Sequence, residues 1–384
     1  MGIKDFFVSY FDNTNQIDSS YGTSSIIYIL LIFAVLIALT VKKKNSQNND
    51  YNPGEVFAYE STIMIRGLAI ILLLIGHLSE KCIQGIGWFE DAGRWAVVIF
   101  LFLSGITISK TYGLDNLGKR FFVQRIRKLA FPFWLTLAFF ILLDYFLLDK
   151  TYSIKRIIPA FLGITYPWPP NGPAWFITYI SFLYVMYYFS SFLPVKSSWK
   201  SLVLAVLSYL GAIAIIYSQK LNNYFALWVI YTSVFPAAVV VGLNRKKIFK
   251  YLKVFYGYSR VVYVVILAGL FAFYYQGTNI DWLSQPDNIR KIFQTLQPLT
   301  LVCFLTMFTY LVDLLIFESK ILLLLGEYSF EIYLLHFPFM EYYDFLLFRK
   351  PLFGTFFIYF AAIFLMSYLL RKISNIMNRR VLDF

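Results

Sequence analysis

The sequence contains little cysteine, little histidine and little charge. Two of its 384 residues are cysteine, two are histidine, and only 14% are charged. Cys82 and Cys303 lie far apart and match no metal-binding spacing, so the sequence offers neither a disulfide scaffold nor a metal site. Soluble domains carry about 25% charged residues. The low charge therefore excludes an ordinary soluble enzyme, and the apolar composition excludes a disordered chain.

Apolar and aromatic residues are abundant instead. Hydrophobic residues make up 59% of the chain and aromatic residues 21%, and aromatic rings are enriched at both surfaces of a bilayer. A spanning helix needs about 20 mostly apolar residues. We therefore predict an all-α polytopic membrane protein with about 10–11 transmembrane helices. The predicted spans are residues 24–41, 62–78, 94–109, 129–148, 174–194, 201–218, 224–243, 260–275, 293–317, 322–340 and 352–370.

The basic residues predict the orientation of these spans. The formal net charge is +13, and lysine and arginine are enriched in loops that stay in the cytoplasm. With the N-terminus outside, the inner loops hold roughly twice as many basic residues as the outer loops. We therefore expect a multi-pass protein of a bacterial plasma membrane, with its C-terminus in the cytoplasm. Because the basic residues are spread over short loops, we expect membrane lipids as partners and no nucleic acid.

The first predicted span precedes the rest of the protein as a separate segment. Acidic residues lie before it, where a secretory signal peptide would be basic, so we predict a retained anchor. A polar linker, residues 45–55, follows this anchor. The sequence thus predicts an N-terminal anchor with its linker over residues 1–57 and the main membrane domain over residues 58–384.

Arg66 and His77 are two ionisable residues within the second predicted span. Eleven helical positions are about three turns plus 20°, so the two side chains share a face, about 16.5 Å apart along the axis. Ionisable residues at membrane depth are functional hypotheses by default. The alternatives are that Arg66 is a snorkelling anchor at the inner surface and that His77 only forms an interhelical hydrogen bond.

Residues 326–338 form a second polar constellation in a late span. Glu331 lies near the middle of this span, where a lone carboxylate is paired or protonated. Glu331 is therefore either catalytic or the structural partner of a buried arginine or tyrosine. His336 lies near the outer end, before Pro338, and its alternative role is capping or packing.

Two further clusters lie next to predicted spans. Trp175 and Tyr179 open a helix at the outer face, where they contribute either to a binding site or to an aromatic belt. A basic cluster at the start of the fourth span is explained by topology, by anionic lipid headgroups, or by a phosphate-rich cytosolic ligand. Its candidate ligand-binding members are Arg120, Arg125, Arg127 and Lys128.

Five segments, in this order, resemble the acyltransferase 3 family, which contains membrane O-acyltransferases that act on surface carbohydrates. Arg66 and His77 match its R-x10-H element in an R-G-L-A-I setting. The last of the five segments, residues 326–338, resembles the family pattern G-x-x-S-Y-x-x-Y-L-x-H-x-P. The other three are residues 100–105, 121–134 and 172–179, and together the five include both histidines. The first predicted span is additional to the ten that are typical of the family.

The resemblance implies a donor and an acceptor. The donor is an acyl-CoA, most often acetyl-CoA, which binds from the cytosol as a co-substrate, and no tightly bound cofactor is expected. The acceptor is a hydroxyl group of a cell-surface or extracellular polysaccharide, so the predicted reaction is O-acetylation. His77 is the best candidate for the chemical step, because imidazole changes its protonation near neutral pH. It serves either as a general base or as a transient acyl carrier.

The remaining candidate residues follow from this reaction. Glu331 and His336 complete the catalytic set, Glu331 by orienting a histidine. The cations that suit the CoA phosphates are Arg66, Arg120, Arg125, Arg127 and Lys128. The substrate-binding candidates, some of them donors to a developing oxyanion, are Trp175, Tyr179, Tyr328, Ser329 and Tyr333.

The main alternative is a transporter for carbohydrates or lipid-linked oligosaccharides, in which buried charges line the path. Transporters often contain paired internal repeats with broken helices in corresponding positions, and no such repeat is evident here. The sequence does not identify the acceptor, the acyl group or the oligomeric state.

Overall fold

The fold is almost entirely helical. The structure, a computed structural model, describes residues 19–43, 57–81, 89, 91–163, 175–218, 231–277, 287–315, 317–345, 347 and 350–382. The helices in these ranges are α1 Ser19–Leu39, α2 Tyr59–Glu80, α3 Ala92–Tyr112, α4 Lys119–Leu148, α5 Ile154–Phe161, α6 Trp175–Ser190, α7 Ser197–Ser218, α8 Val234–Leu243, α9 Arg245–Tyr258, α10 Arg260–Gly277, α11 Asp287–Leu314, α12 Lys320–Glu327, α13 Ser329–Glu341 and α14 Leu352–Leu382. One short antiparallel ribbon joins β1 Val41–Lys43 to β2 Phe317–Ser319.

The prediction of an all-α polytopic membrane protein is confirmed. Among the described residues, six helices are long and apolar enough to cross a membrane, and up to eight if each of two bent helix pairs is one span. The six lie in α1, α2, α3, α4, α11 and α14. Each of the eleven predicted spans contains helix in its described part, although α6 has only 16 residues and α8 only 10. Residues 219–230, which include the start of one predicted span, lie outside the described residues.

Helix α2 lies at the centre of the bundle. It is 78% buried over its apolar window, whereas α1 and α14 are each 28% buried and lie at the edge. It contacts α3, α12 and α13. A helix that is apolar all round is expected to be buried, and the few polar side chains of α2 therefore face other helices.

Two glycines allow α2 to pack closely against α12. A Cβ atom at Gly67 would collide with the backbone oxygen of Leu322, and a Cβ atom at Gly326 would collide with the backbone oxygen of Ile63. Each helix thus places a glycine against the backbone of the other, as small residues permit between membrane helices. Because Arg66 adjoins Gly67, this contact also fixes Arg66 relative to the end of α12.

The predicted span over residues 322–340 is not one continuous helix. It consists of α12 and α13, which meet at Tyr328 with a bend of 75°. Such a break leaves backbone carbonyl groups without a helical partner. Arg371 of α14 satisfies one of them, because its Nη1 donates to the carbonyl oxygen of Glu327 at 3.0 Å. The prediction of a continuous helix was wrong because this contact comes from a distant part of the chain.

The segment between α4 and α6 contains one short helix in its described part. This helix, α5, has one strongly apolar side. The Pro- and Gly-rich residues 166–173, for which a turn-rich structure without helix is predicted, lie outside the described residues. Proline at the interior of α5 is tolerated because the helix has only eight residues.

The predicted anchor helix α1 packs on the last helix. The ring of Phe33 contacts those of Phe357 and Phe360 at centroid distances of 5.4 and 5.5 Å. Lys42 of β1 forms an ion pair with Glu318 of β2 at 2.8 Å. The predicted polar linker, residues 45–55, lies outside the described residues.

Candidate active site

His77 lies on α2, one turn before its end, and is hydrogen-bonded to Glu80. The distance from Nδ1 of His77 to Oε2 of Glu80 is 2.9 Å. An ionised carboxylate can only accept, so Nδ1 of His77 carries the proton and Nε2 carries the free lone pair. An acid in this position fixes the tautomer and stabilises the imidazolium, as in hydrolytic triads. Sequence reasoning missed Glu80, although its i, i+3 spacing from His77 was the available signal.

His336 of α13 faces His77 in the core of the bundle. The two ring centroids are 5.2 Å apart and the ring planes differ by 35°. Nδ1 of His336 donates to the carbonyl oxygen of Tyr333 at 2.7 Å, so its lone pair is also on Nε2. This Nε2 is buried and has no hydrogen-bond partner among the described residues. The hydroxyl of Tyr359 donates to the carbonyl oxygen of His336 at 2.7 Å and helps to fix this turn.

Aromatic side chains extend from the two histidines towards α6. The ring of Tyr333 lies 5.7 Å from that of His336 and 5.6 Å from that of Phe176. Trp175 follows at 6.0 Å from Phe176. The predicted substrate-binding residues Trp175 and Tyr333 therefore belong to one aromatic wall beside the histidines.

Tyr179 adjoins this wall, since its ring centroid lies 6.1 Å from that of Trp175, and Ser329 is buried about one turn of α13 before Tyr333. The Tyr179 hydroxyl lies 3.2 Å from the Oγ1 atom of Thr232, a contact with the turn before α8 that makes Tyr179 part of the helix packing. Ser329 is the first residue of α13 and is 6% exposed. It lies at the opposite end of this helix from Glu341, two turns before His336.

An ion pair closes the His77 end of α2. Lys81, which follows this helix, pairs with Glu341 at the end of α13. Asp344 follows in the next turn, and burial raises its pKa to about 6 despite the nearby charge of Lys81. Burial also lowers the pKa of Lys81. Charged groups that are only partly solvated therefore lie at the ends of α2 and α13 next to the histidines.

The other end of α2 carries a cluster of cations. Nη2 of Arg66 lies 3.5 Å from the Oγ1 atom of Thr107 on α3. Arg66 interacts electrostatically with Arg125, and Lys128 interacts with both arginines. No carboxylate is within ion-pair distance of these three side chains among the described residues. A cluster of three like charges that are not neutralised by an ion pair among the described residues is suited to an anionic ligand.

Aromatic rings hold Arg125 in this cluster. Its guanidinium lies 5.2 Å from the ring centroid of Tyr112 and 6.0 Å from that of Tyr184. Cation–π contacts of this kind hold the guanidinium plane without satisfying its N–H donors. Nε of Arg125 is buried and lacks a hydrogen-bond partner among the described residues. An unsatisfied buried donor of this kind is expected where a ligand binds.

Arg120 and Arg127 are not brought into the cluster. On α4 they lie about 140° and 200° around the helix from Arg125, whereas Lys128 lies within about 60° of it. Exposure does not distinguish the two groups, since Arg120 and Lys128 are exposed and Arg125 and Arg127 are half-buried. The structure thus joins three of the five cations that were predicted to bind CoA and directs the other two elsewhere.

Arg371 of α14 approaches the cluster at the α12–α13 break. Its guanidinium lies 4.7 Å from the ring centroid of Tyr328, and its Nε lies 4.0 Å from Oε1 of Glu331. Lys128 also interacts electrostatically with Arg371. Glu331, predicted to orient a histidine, instead faces an arginine, and Glu80 contacts His77. Tyr328 likewise belongs to the cation end of the site, more than two turns of α13 from His336.

The arrangement provides a base and an anion-binding region on one helix. His77 and Arg66 share a face of α2 and lie about 16.5 Å apart along its axis. Among the described residues, no group of three or more His, Cys, Asp and Glu side chains could hold a metal ion. The site that the described residues form is therefore built from imidazole, guanidinium, carboxylate and aromatic groups.

Comparison with known proteins identifies the family. A family model described as an acyltransferase domain matches residues 60–372, which is most of the chain and contains both ends of the site. No curated protein and no solved structure matches the chain. On the family match, the chain belongs to the acyltransferase 3 family of integral membrane acyltransferases.

Proposed function

We propose that the protein transfers an acetyl group from acetyl-CoA to a hydroxyl group of a cell-surface or extracellular polysaccharide. The observation that carries this proposal is the arrangement on α2. A histidine with a free Nε2 lies at one end, and Arg66, Arg125 and Lys128 gather at the other with no carboxylate of the described residues within ion-pair distance. Such a site suits a ligand with phosphates at one end and a reactive carbonyl group at the other.

Acyl-CoA has this form. Its phosphates would bind to the three cations, since charge-assisted hydrogen bonds to phosphate are among the strongest in proteins. Its extended pantetheine arm would run along the shared face of α2 and bring the thioester to His77. The basic residues of the loops support a cytosolic position for the cation end in a bacterial plasma membrane. The N-terminus would then lie outside and the acceptor would approach from the other end.

His77 is the proposed catalytic base. Its Nε2 accepts the proton of the acceptor hydroxyl while the hydroxyl oxygen bonds to the thioester carbonyl carbon. When the C–S bond of the resulting intermediate breaks, the imidazolium returns the proton to the CoA sulfur. Glu80 stabilises this imidazolium through Nδ1. In the relay alternative, Nε2 itself bonds to the acyl carbon and the C–S bond breaks to release the CoA thiolate. The acceptor hydroxyl oxygen then takes the acyl group from Nε2, and the proton that this hydroxyl loses converts the thiolate to the thiol.

The neighbouring residues have proposed roles that follow their positions. His336 presents a second lone pair beside His77 and would accept a hydrogen bond from the acceptor. Trp175 and Tyr333 provide aromatic surface against which sugar rings can pack. Tyr328 lies at the cation end and is assigned to the donor.

The alternative is a transporter for carbohydrates or lipid-linked oligosaccharides. The α12–α13 break is a feature that transporters share, but transport gives no reason for a carboxylate that fixes the tautomer of His77. The two proposals differ in one measurable respect, because only an acyltransferase consumes a thioester.

The test uses the full chain in nanodiscs with radiolabelled acetyl-CoA. We expect binding of the donor, slow release of CoA without an acceptor, and faster release when isolated surface polysaccharide is added. His77→Ala should bind the donor as wild type does and release no CoA. A His77→Ala protein that still transfers acetyl groups would contradict the catalytic assignment. A wild-type protein that neither binds nor consumes acetyl-CoA, but moves oligosaccharide across vesicles, would establish the transporter.

A further inference from the structure

Glu331 and Arg371 form an ion pair at the edge of the cation cluster. Nε of Arg371 and Oε1 of Glu331 are 4.0 Å apart, with side-chain exposures of 35% for the arginine and 9% for the glutamate. This distance is at the outer limit of an ion pair and too long for a hydrogen bond. The carboxylate is thus nearly buried beside a guanidinium that does not fully satisfy it.

Arg371 retains capacity for another anion. A guanidinium has five N–H donors in a planar fork, and Nη1 donates to the carbonyl oxygen of Glu327 at 3.0 Å. The ring of Tyr328, 4.7 Å from the guanidinium carbon, supports one face of the plane. Arg371 is therefore held in place by backbone and ring contacts that do not depend on Glu331. A guanidinium fixed in this way suits bidentate binding of phosphate.

The surroundings are strongly cationic. Lys128 interacts electrostatically with Arg371, with Arg66 and with Arg125, so the guanidinium that Glu331 faces belongs to a group of four neighbouring cations. Glu331 also lies in the first turn of α13, where the helix dipole favours negative charge. The carboxylate accordingly occupies a place that also suits an external anion, beside the guanidinium of Arg371 and the start of α13.

We propose that Glu331 takes the place of a donor phosphate when no donor is bound and that Arg371 is a phosphate-binding residue of the donor-bound protein. When acyl-CoA enters, a phosphate replaces the carboxylate at the guanidinium of Arg371, and Glu331 is released towards the α12–α13 break. The inference rests on the proposed function, because it takes the cation cluster as the donor site. It gives Glu331 a regulating role in donor affinity in place of a catalytic one.

This exchange predicts opposite effects for the two members of the pair. Removing Arg371 removes a phosphate ligand and weakens donor binding. Removing the charge of Glu331 removes a competitor and strengthens donor binding, provided that Arg371 is present. A pair with a purely structural role would instead give the same loss from either side, because each variant would leave a buried charge without its partner.

The experiment measures CoA affinity in nanodiscs of neutral lipid for wild type, Arg371→Gln, Glu331→Gln and the double variant. We expect Arg371→Gln to weaken binding about tenfold or more, as the loss of a charged hydrogen bond does. Glu331→Gln should tighten binding severalfold and should have no such effect in the Arg371→Gln background. Arg371→Lys keeps the positive charge without the planar set of N–H donors, so its CoA affinity should lie between those of wild type and Arg371→Gln. It replaces Arg371→Gln in the comparison if the glutamine variant does not fold.

Lys372→Gln is the matched control, since it removes one positive charge from the exposed neighbouring position of α14. It should bind CoA with wild-type affinity. If the wild-type protein binds CoA and Arg371→Gln binds it with the same affinity, this inference is overturned while the proposed function stands. The inference is also overturned if Glu331→Gln loses as much affinity for CoA as Arg371→Gln does. Failure of the wild-type protein to bind CoA would overturn the proposed function and this inference with it.

Discussion

The imidazole rings of His77 and His336 lie 5.2 Å apart in the core of the bundle, and each has its Nδ1 already engaged. Nδ1 of His77 donates to Oε2 of Glu80 at 2.9 Å, and Nδ1 of His336 donates to the carbonyl oxygen of Tyr333 at 2.7 Å. The lone pairs of both rings are therefore on Nε2. The difference between the two lies in the partner, because a charged carboxylate stabilises an imidazolium more strongly than a neutral carbonyl oxygen does.

His336→Phe keeps a ring in this place and removes the lone pair. We expect kcat to fall about 10- to 100-fold, while the KM for acetyl-CoA stays near its wild-type value, because His336 lies far from the cation cluster. Steady-state kinetics with saturating acceptor measure both constants. Phe337→Leu is the control, since Phe337 also contacts His77, at a centroid distance of 5.1 Å. Equal losses in both variants would mean that His336 contributes only packing.

Glu80→Gln tests the hydrogen bond that fixes His77. Glutamine keeps the size of the side chain but cannot stabilise a positive charge on the ring, so we expect kcat to fall by about 10- to 100-fold at constant donor affinity. Stopped assays of CoA release, with donor binding measured alongside, separate the two effects. Glu341→Gln is the matched control, because it removes a carboxylate at the same end of the bundle that pairs with Lys81. A Glu80→Gln enzyme as active as wild type would show that the negative charge beside His77 is not needed for catalysis.

The sequence was sufficient to predict the features that depend on local periodicity. Arg66 and His77 share a face because of their spacing on one helix, and that spacing holds in any fold that keeps the helix. The pairing of Arg125 with Lys128, and not with Arg127, follows from the same periodicity. Glu80 was within reach of this reasoning and was missed because the predicted span ended at residue 78.

Other features depend on distant parts of the chain and could not be predicted in this way. The break at Tyr328 is supported by Arg371, more than forty positions later, and no local pattern signals that contact. The orientation of Glu331 towards Arg371 and away from the histidines follows from the same approach of α14. The facing of His77 and His336 likewise requires α2 and α13 to pack together.

Arg66→Gln tests the donor site at its centre. The variant removes one of three cations that have no carboxylate partner among the described residues, so we expect the Kd for CoA to rise about tenfold or more. Binding should also depend less on salt, because one charge interaction is lost. Lys119→Gln, at the exposed start of α4, is the control for the loss of a charge. If Arg66→Gln instead lowered only thermal stability, with CoA affinity intact, Arg66 would be a membrane anchor.

Asp344→Asn tests the buried acid beside Lys81. Burial raises the pKa of Asp344 to about 6, against about 3.9 for an unperturbed aspartate, so the folded state favours the protonated form. The stability that this acid contributes is present below about pH 4 and is lost as the pH rises through about 6. Relative to wild type, the asparagine variant should therefore be about 1–3 kcal/mol more stable at pH 8 and nearly equal at pH 4. Thermal unfolding in detergent at both pH values measures this, and a difference independent of pH would contradict the assigned shift.

Gly326→Ala tests the close contact between α12 and α2. The added methyl group would collide with the backbone oxygen of Ile63, and because backbone cannot rotate away, the helices must separate. We expect a loss of about 1–3 kcal/mol in stability from overpacking. CoA binding should weaken as well, since Arg66 and the α12–α13 break move apart. Gly269→Ala in α10, where a Cβ meets no atom within 4 Å, is the matched control and should be as stable as wild type or slightly more so. Size-exclusion analysis after heating compares the thermal stability of the two variants. Equal stability would show that the helices accommodate the added methyl group at Gly326 without destabilising the protein.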